Sequence, residues 1–522
     1  MIKAVRADIS LIALDQILQK LKPAPMDASE RSPCLEGTRE EIIQSVIAWA
    51  SNSSRERVLW LHGLAGSGKS TLSTTIANIF ASYGQLGAFL FFERDVIERS
   101  NPTTVVRTLA HQLGSSDRRI GQAICAVIER NPNILLLPLS LQFQKLILDA
   151  LSTVDALPPT IVVVLDALDE CGSANERETL LTILANGFGG LPFQIRTIIT
   201  SRPEADICNA FQSQCHILPV QLDITSLTNS NDIRLYIRHR MALLRTQARH
   251  LQLDTEWPGE EALCQLVQRA SGLFVWASTA CNFIAGFDPR RRLDVILRGE
   301  MASGPEAALD GIYKTALKSI DIWDDEEFVS DFRAILGLIL VARQPLSSAS
   351  IDILLKLPNE RPSMHTISLL GSILQQGPTI RLLHPSFADF LVTIERCGRD
   401  IWYFDRPTFH QDLALRCLDD MEAVLKQNIC NLTLTTDVAT ESLPEDASYS
   451  CSFWIDHISA IVDEFALITD QLSNFMLHHL LHWFEAMSIS KRSRDTILLL
   501  DRLSDWILVS HSATHDIIFL KI

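Results

Sequence analysis

No Cys-x-x-Cys pair occurs among the eleven cysteines, and their spacing is irregular. Zinc sites and disulfide scaffolds depend on such pairs, so neither is expected, and a reducing, cytoplasmic setting is. Glycine and proline are sparse, at 22 and 21 of 522 residues, which excludes collagen-like, linker-like and low-complexity chains. No apolar run approaches the roughly 18 residues needed to span a bilayer. Asp8 and Asp15 interrupt the apolar N-terminal stretch, so a secretory leader is not expected either. No repeat of about 20 to 50 residues is visible, which excludes a solenoid or propeller within the chain. Basic charge is also short: 46 basic against 62 acidic side chains give a net charge of -16. The densest basic runs, Arg290-Arg291-Arg292 and Lys491-Arg492-Ser493-Arg494, are brief and flanked by acids. They read as solvated helix ends, and no nucleic-acid partner is expected.

What is present is apolar mass, 47% hydrophobic residues over a length that implies about three domains. Val5, Ile9, Ile12, Ile17 and Leu21 follow helical spacing over residues 1–21, and Lys22-Pro23-Ala24-Pro25 ends that helix. A polar connector runs to Gly37. Thr38 and Glu41 then resemble a capping box opening a helix that carries Ile42, Ile43, Val46, Ile47 and Trp49. Five short runs follow, Val58–Leu61, Ala88–Phe92, Ile161–Leu165, Ile195–Thr200 and Ile217–Leu222, separated by helical segments. They are β-branched or aromatic without polar alternation, as in strands buried on both faces of a parallel sheet. The expected fold is a doubly wound α/β type, a parallel sheet with helices on both faces over 38–222, after an N-terminal helix and linker (1–37). Residues 223–325 read as a helical domain and 326–400 as helices ending on a short strand at Thr379–Leu383. Residues 401–522 read as a helical extension, with its most loop-like stretch at 437–450 and one helix at 471–487.

The chemistry concentrates at the ends of three of these strands. The first runs into Gly63-Leu64-Ala65-Gly66-Ser67-Gly68-Lys69-Ser70-Thr71, which matches G-x-x-x-x-G-K-[ST]. Glycines let successive N–H groups turn inward on phosphate oxygens at the positive end of the next helix. Lys69 would reach the β- and γ-phosphates and the Ser70 hydroxyl would bind Mg²⁺. The third strand ends on Asp166, followed by Asp169 and Glu170. Asp166 would hold Mg²⁺ through its water shell, and Asp169 and Glu170 could polarise an attacking water. The fourth runs into Thr200-Ser201-Arg202-Pro203-Glu204, where Arg202 would report on the γ-phosphate. His478, His479 and His482 stand at i, i+1 and i+4, but without a third ligand or a suitably placed Glu they read as a packed or exposed helix face.

Together the P-loop, the Asp-x-x-Asp-Glu pattern and Thr-Ser-Arg-Pro-Glu resemble the NACHT domain of STAND-class ATPases, in its fungal, nephrocystin-like branch. The likeness extends to Cys34-Leu35-Glu36-Gly37-Thr38-Arg39, Gly272-Leu273-Phe274-Val275-Trp276-Ala277, Leu383-His384-Pro385-Ser386-Phe387-Ala388-Asp389-Phe390-Leu391, Asn428–Leu432 and Leu480–Glu485. It covers roughly residues 23–506, and the His-Pro-Ser-Phe-x-Asp-Phe segment makes it specific. The resemblance implies a winged helix over 326–400 that closes over ADP, with His384 touching the β-phosphate. Relatives often have Gly-x-Pro packing on the adenine; this chain has Gly272-Leu273-Phe274.

The resemblance implies a switch in signal transduction, including fungal non-self recognition or cell death, held closed by ADP and opened by ATP with Mg²⁺, with slow hydrolysis and protein partners or self-association on activation. Sensor repeats follow the core in relatives; with none visible here, the expectation is a truncated form or a core acting with separately encoded partners. Two other readings stay open: a P-loop kinase or ATPase with continuous turnover, and a nucleotide-binding scaffold that does not hydrolyse. No Asn-Lys-x-Asp motif selects GTP over ATP.

Overall fold

A computed structural model describes residues 13–52, 55–155, 157–247, 253–299, 301–398, 400–430, 443–461 and 466–514. The chain divides into two compact units, Met1–Gly311 and Ile312–Ile522. In the first, strands β1 (Val58–His62), β2 (Leu86–Phe91), β3 (Ile161–Asp166), β4 (Ile195–Ser201) and β5 (Ile217–Gln221) form one sheet in the order β2-β3-β4-β1-β5. Every pairing is parallel, so all five strands end at the same edge. Because β4 lies between β1 and β3, the loops that follow these three strands are neighbours there.

Alternate residues feed two separate cores, which is why the strand sequences are continuously apolar. Val58 and Trp60 face one core while Leu59 and Leu61 face the other; Ile161, Val163 and Leu165 oppose Val162 and Val164 in the same way. Each such buried aliphatic side chain contributes about 1.5–3 kcal/mol. The edge strand β5 departs from this pattern. Ile217 is buried but Pro219 and Gln221 are exposed, and an edge is where a proline, with no N–H to donate, can sit in a sheet.

Helices α1 (Glu40–Ser51) and α2 (Lys69–Ser82) cover one face through Ile43, Val46, Leu72, Ile76 and Phe80. The other face takes α3 (Val105–Ser116) and α4 (Arg118–Arg130) through Leu109, Leu113, Ile120 and Ile124. The N-terminal segment is helical over 13–18 and ends in a tighter turn at Gln19–Leu21, with Leu18 and Leu21 buried in that second core. Val5, Ile9 and Ile12 lie outside the described residues.

One local expectation is extended here and one is corrected. The connector is a strap bonded to the sheet domain: Ala24 N–H donates to Thr108 Oγ1 at 2.9 Å, and Cys34 N–H to Thr75 Oγ1 at 2.7 Å. The capping box at Thr38 does not form. The Thr38 hydroxyl donates to Leu35 O instead, and α1 begins after Arg39, which is held at φ 61° with no side-chain cap.

The unit continues with α5 (Ala174–Thr182), α6 (Ala205–Phe211), α7 (Leu227–Gln247), α8 (Glu260–Arg269), α9 (Phe274–Ile284), α10 (Pro289–Arg298) and α11 (Pro305–Lys318), the last of which runs across the unit boundary. In the second unit, α12 (Glu326–Val341), α13 (Ser348–Leu355) and α14 (Ser363–Leu369) precede an antiparallel pair, β6 (Leu374–Gln375) and β7 (Arg381–Leu382). Then come α15 (Pro385–Leu391), α16 (Arg406–Val424), α17 (Glu445–Ile458), α18 (Ala466–His478), α19 (Leu480–Ile489) and α20 (Asp495–Thr514).

The loop reading of 437–450 is corrected from Glu445 onward, where α17 begins; 437–442 lie outside the described residues. The single helix expected over 471–487 is two, because α18 ends at His478 and α19 starts at Leu480. Among the described residues no helix is long and apolar enough to cross a membrane, and no three or more His, Cys, Asp or Glu side chains are grouped so as to hold a metal, the histidines at 478, 479 and 482 included. Among the described residues no cysteine is in a disulfide.

Candidate functional site

The loop Gly63–Thr71 leaves β1 at the shared strand edge and enters α2 at Lys69. Its curl depends on left-handed backbone at Gly66 (φ 74°) and Gly68 (φ 91°). Gly66 has a second reason to lack a side chain: a Cβ there would lie 2.0 Å from Val275 Cγ1, since α9 packs directly on the loop and Val275 N–H donates to Gly66 O. The approach of α9 rests in turn on Gly272 (φ 80°), whose Cβ would meet Ile224 O at 2.1 Å, and on Asn229, which donates to both Ile224 O and Gly272 O. Arg39 completes this side. Its guanidinium donates to Ser67 O at 2.6 Å and lies 4.8 Å from the centre of the Phe274 ring.

Lys69 is 9% exposed and donates to Gly63 O and Leu64 O at 2.8 and 2.9 Å. Burial lowers its pKa to about 8, against the pull of Asp169 and with the push of Arg202. Ser70, Thr71, Ala65 and Leu64 keep part of their surface accessible, and the first N–H groups of α2 have no acceptor within the helix. The buried Ser67 Oγ has no hydrogen-bond partner among the described residues.

The carboxylates stand opposite. Asp166 is fully buried at the end of β3; the Thr200 hydroxyl donates to its Oδ1 at 2.5 Å, and Arg31 pairs with its Oδ2. Thr200 also accepts from Ala167 N–H, fixing the left-handed turn (φ 60°) that directs the chain toward Asp169. Asp169 receives Arg202 twice, at 2.9 Å from the backbone N–H and 3.2 Å from Nε. Glu170 accepts from Arg94 N–H at 3.3 Å, and burial, reinforced by the charge of Asp169, raises its pKa to about 8.

The structure therefore gathers Gly63–Thr71, Asp166, Asp169, Glu170 and Arg202 at one edge of the sheet, as the strand order requires. His384 lies in the second unit. It caps α15, its Nδ1 accepting from Ser386 N–H at 3.1 Å and pairing with Ser386 Oγ at 2.7 Å, while Tyr313 holds that hydroxyl from the other side.

Sequence reading missed three residues that shape the site: Arg31, Arg39 and Arg177. The last is 2% exposed; it donates to Asp169 O and Gly172 O, and pairs with Glu204 and with Asp206 at 2.6 Å, so it ties the loop after β3 to the loop after β4. Thr200 was visible within its motif, but its bond to Asp166 was not.

The donor set suits a phosphate chain with a hard cation: inward-turned backbone, one buried ammonium, a hydroxyl and a buried carboxylate. Residues 37–202 match the family model described as Nephrocystin 3, N-terminal. Among solved structures, the chain is similar to a signal transduction ATPase with numerous domains (STAND) protein with a tetratricopeptide repeat sensor from Pyrococcus horikoshii, at 14% identity and TM-score 0.42, covering 92% of this chain and 56% of that one. It is also similar to a Walker-type ATPase of Pyrococcus abyssi (14% identity, TM-score 0.34, 69% and 98% covered) and to the ORC2 protein of Aeropyrum pernix in its ADP form (14%, 0.29, 68% and 92%). This chain thus spans little more than half the length of the Pyrococcus horikoshii protein. A search of curated proteins gave no match.

Proposed function

We propose that the protein is a nucleotide-operated switch of the STAND type, a slow Mg²⁺-dependent ATPase that cycles between ADP- and ATP-bound forms and signals through protein partners or self-association. The observation that carries this is the convergence of the glycine loop, Asp166 and the Arg202–Asp169 pair at the end of adjacent parallel strands. The match of residues 37–202 to the nephrocystin family model supports it.

The backbone of Gly66–Thr71 would cradle the phosphates, and Lys69 would turn from Gly63 O and Leu64 O to the β- and γ-oxygens. Ser70 and Asp166 would hold Mg²⁺, which supplies charge neutralisation on the β- and γ-phosphates. Arg202, paired with Asp169, has a second acceptor to move to when a γ-phosphate is present, so its partner encodes the nucleotide state. Glu170, with its pKa raised to about 8, is mostly protonated at neutral pH and makes a weak base there, which fits slow turnover and favours the switch over a kinase or motor ATPase.

The bonds around Ser386 place the His384 ring proton on Nε2, making that nitrogen a donor suited to phosphate oxygen; His384 is proposed as the phosphate-sensing residue of the second unit. The helices α12–α14 followed by the β6–β7 pair are compatible with the winged helix that this role implies.

The test is to purify the protein at physiological Mg²⁺ and identify bound nucleotide by chromatography. ADP at near-stoichiometric occupancy is expected, with none in Lys69→Ala. Nucleotide-free wild type, or a Lys69→Ala protein that binds ADP as tightly, would overturn the reading.

A further inference from the structure

Arg31 comes from neither the P-loop nor any strand end, yet its guanidinium occupies the carboxylate assigned to the metal. It pairs with Asp166 Oδ2, and its Nε donates at 3.2 Å to Thr74 Oγ1, whose own proton goes to Ser70 O. The guanidinium thus ties Asp166 to Thr74, one turn along α2 from Ser70, the other residue assigned to Mg²⁺. Its plane covers the Phe91 ring at 4.5 Å, and Glu93 stands 4.0 Å from its other nitrogen. Thr200 already occupies Asp166 Oδ1, so Arg31 completes the bonding of a carboxylate with no exposed surface.

A fully buried carboxylate needs a counter-charge, and one cation is enough. Arg31 supplies it with one charge, a hydrated Mg²⁺ would supply it with two, and both together at this carboxylate would repel each other in a poorly screened site. Glu93 gives Arg31 an acceptor to turn toward while its stack on Phe91 persists. The strap around Arg31 is anchored on both sides, at Pro25, whose carbonyl accepts from Arg99 at 2.9 Å, and at Cys34. Release of Arg31 would therefore loosen residues 26–33 and leave the anchors in place.

We propose that Arg31 is an internal cation that competes with Mg²⁺ for Asp166, so that loading of metal with nucleotide frees the middle of the strap joining the N-terminal helix to the nucleotide domain. This rests on the reading of Gly63–Thr71 as a nucleotide site, and it assigns to the strap a response to the metal in addition to the response of Arg202 to the γ-phosphate.

The experiment titrates Mg²⁺ against a fluorescent ADP (mant-ADP) on the full chain, for wild type, Arg31→Ala and Arg31→Gln, and follows hydrogen exchange of the peptide spanning 26–34 with and without Mg²⁺. Arg31→Gln keeps a donor for Asp166 while removing the charge, so it serves where Arg31→Ala folds poorly. In both variants the Mg²⁺ midpoint for nucleotide retention should fall about ten-fold, as expected when a charge-assisted bond no longer has to be displaced. In wild type, exchange over 26–34 should quicken only when Mg²⁺ and nucleotide are both present. An unchanged or higher midpoint in the variants overturns the competition and leaves the nucleotide site standing. Failure of wild type to bind mant-ADP at any Mg²⁺ concentration overturns the nucleotide reading and the competition together.

Discussion

Asp169 and Glu170 are adjacent in sequence but chemically unlike. Arg202 holds both oxygens of Asp169, whereas burial and the neighbouring charge push Glu170 up to about 8. On the proposed ATPase reading this difference would leave Asp169 to orient Arg202 and Glu170 to take the proton from water once it is itself deprotonated. Glu170→Gln should therefore cut single-turnover phosphate release by about 100-fold or more while ADP affinity stays near that of wild type. Because the acting form is the carboxylate, wild-type release should climb as pH rises through about 8, and the variant should lose that climb. A Glu170→Gln protein that hydrolyses normally, or whose wild-type parent is flat from pH 6.5 to 9, would return the base role to Asp169. The residue scale is also where sequence reading reached its limit. Lys69, Ser70 and Asp166 announce themselves because their partners are a few residues away or fixed by the strand pattern. Arg31 and Arg177 do not, since their carboxylate partners lie 135, 27 and 29 positions along the chain, and nothing local separates them from surface arginines.

Among the elements, the strands were legible to within two residues, because burial on both faces leaves an unbroken β-branched run. α17 was not, because its first turns carry polar residues that read as a loop. Asp446, Ser450, Ser452, Asp456 and His457 are all buried, and several find partners only in the fold. The Ser450 hydroxyl donates to Asp420 Oδ2 at 2.7 Å, and a relay runs from Arg343 N–H to the Tyr449 hydroxyl, to His457 Nε2 at 2.8 Å, and from His457 Nδ1 to His410 Nδ1 at 2.9 Å on α16. Each ring in this relay needs one proton and has no room for a second charge. Burial, with Arg343 nearby, lowers His410 to about 3 and His457 well below the usual histidine range. The sign follows directly. His410 is neutral when folded at pH 5, and His457 is shifted the same way, while the unfolded histidines take up a proton near pH 6.5, so stability is fully present above that value and is lost as pH falls toward the folded pKa. The loss should be about 2 kcal/mol for His410 between pH 7 and 5, with a further loss of the same sign from His457. Urea denaturation at the two pH values measures it, with His410→Asn/His457→Asn as control. If the double variant is as acid-sensitive as wild type, the relay is not the cause.

Taken whole, the chain divides its chemistry: the proposed phosphate site belongs to Met1–Gly311 and the histidine relay to Ile312–Ile522. The acidic balance is uneven too. Residues 421–522 hold 14 acids and 6 bases, so half of the net charge of -16 lies in the last fifth of the sequence. Two units with separate sensitivities should give two thermal transitions. ADP with Mg²⁺ at 100 times its Kd should stabilise the first unit by about 2.7 kcal/mol, and acid should lower the second. The proposed role of His384 adds a sharper expectation. A nucleotide that His384 senses must raise the second transition as well, and His384→Ala should abolish that rise while the first transition keeps its own. Calorimetry on the full chain, with hydrogen exchange to assign each transition, distinguishes the outcomes. A second transition that ADP never moves in wild type would leave the site a nucleotide binder and remove His384 from the switch.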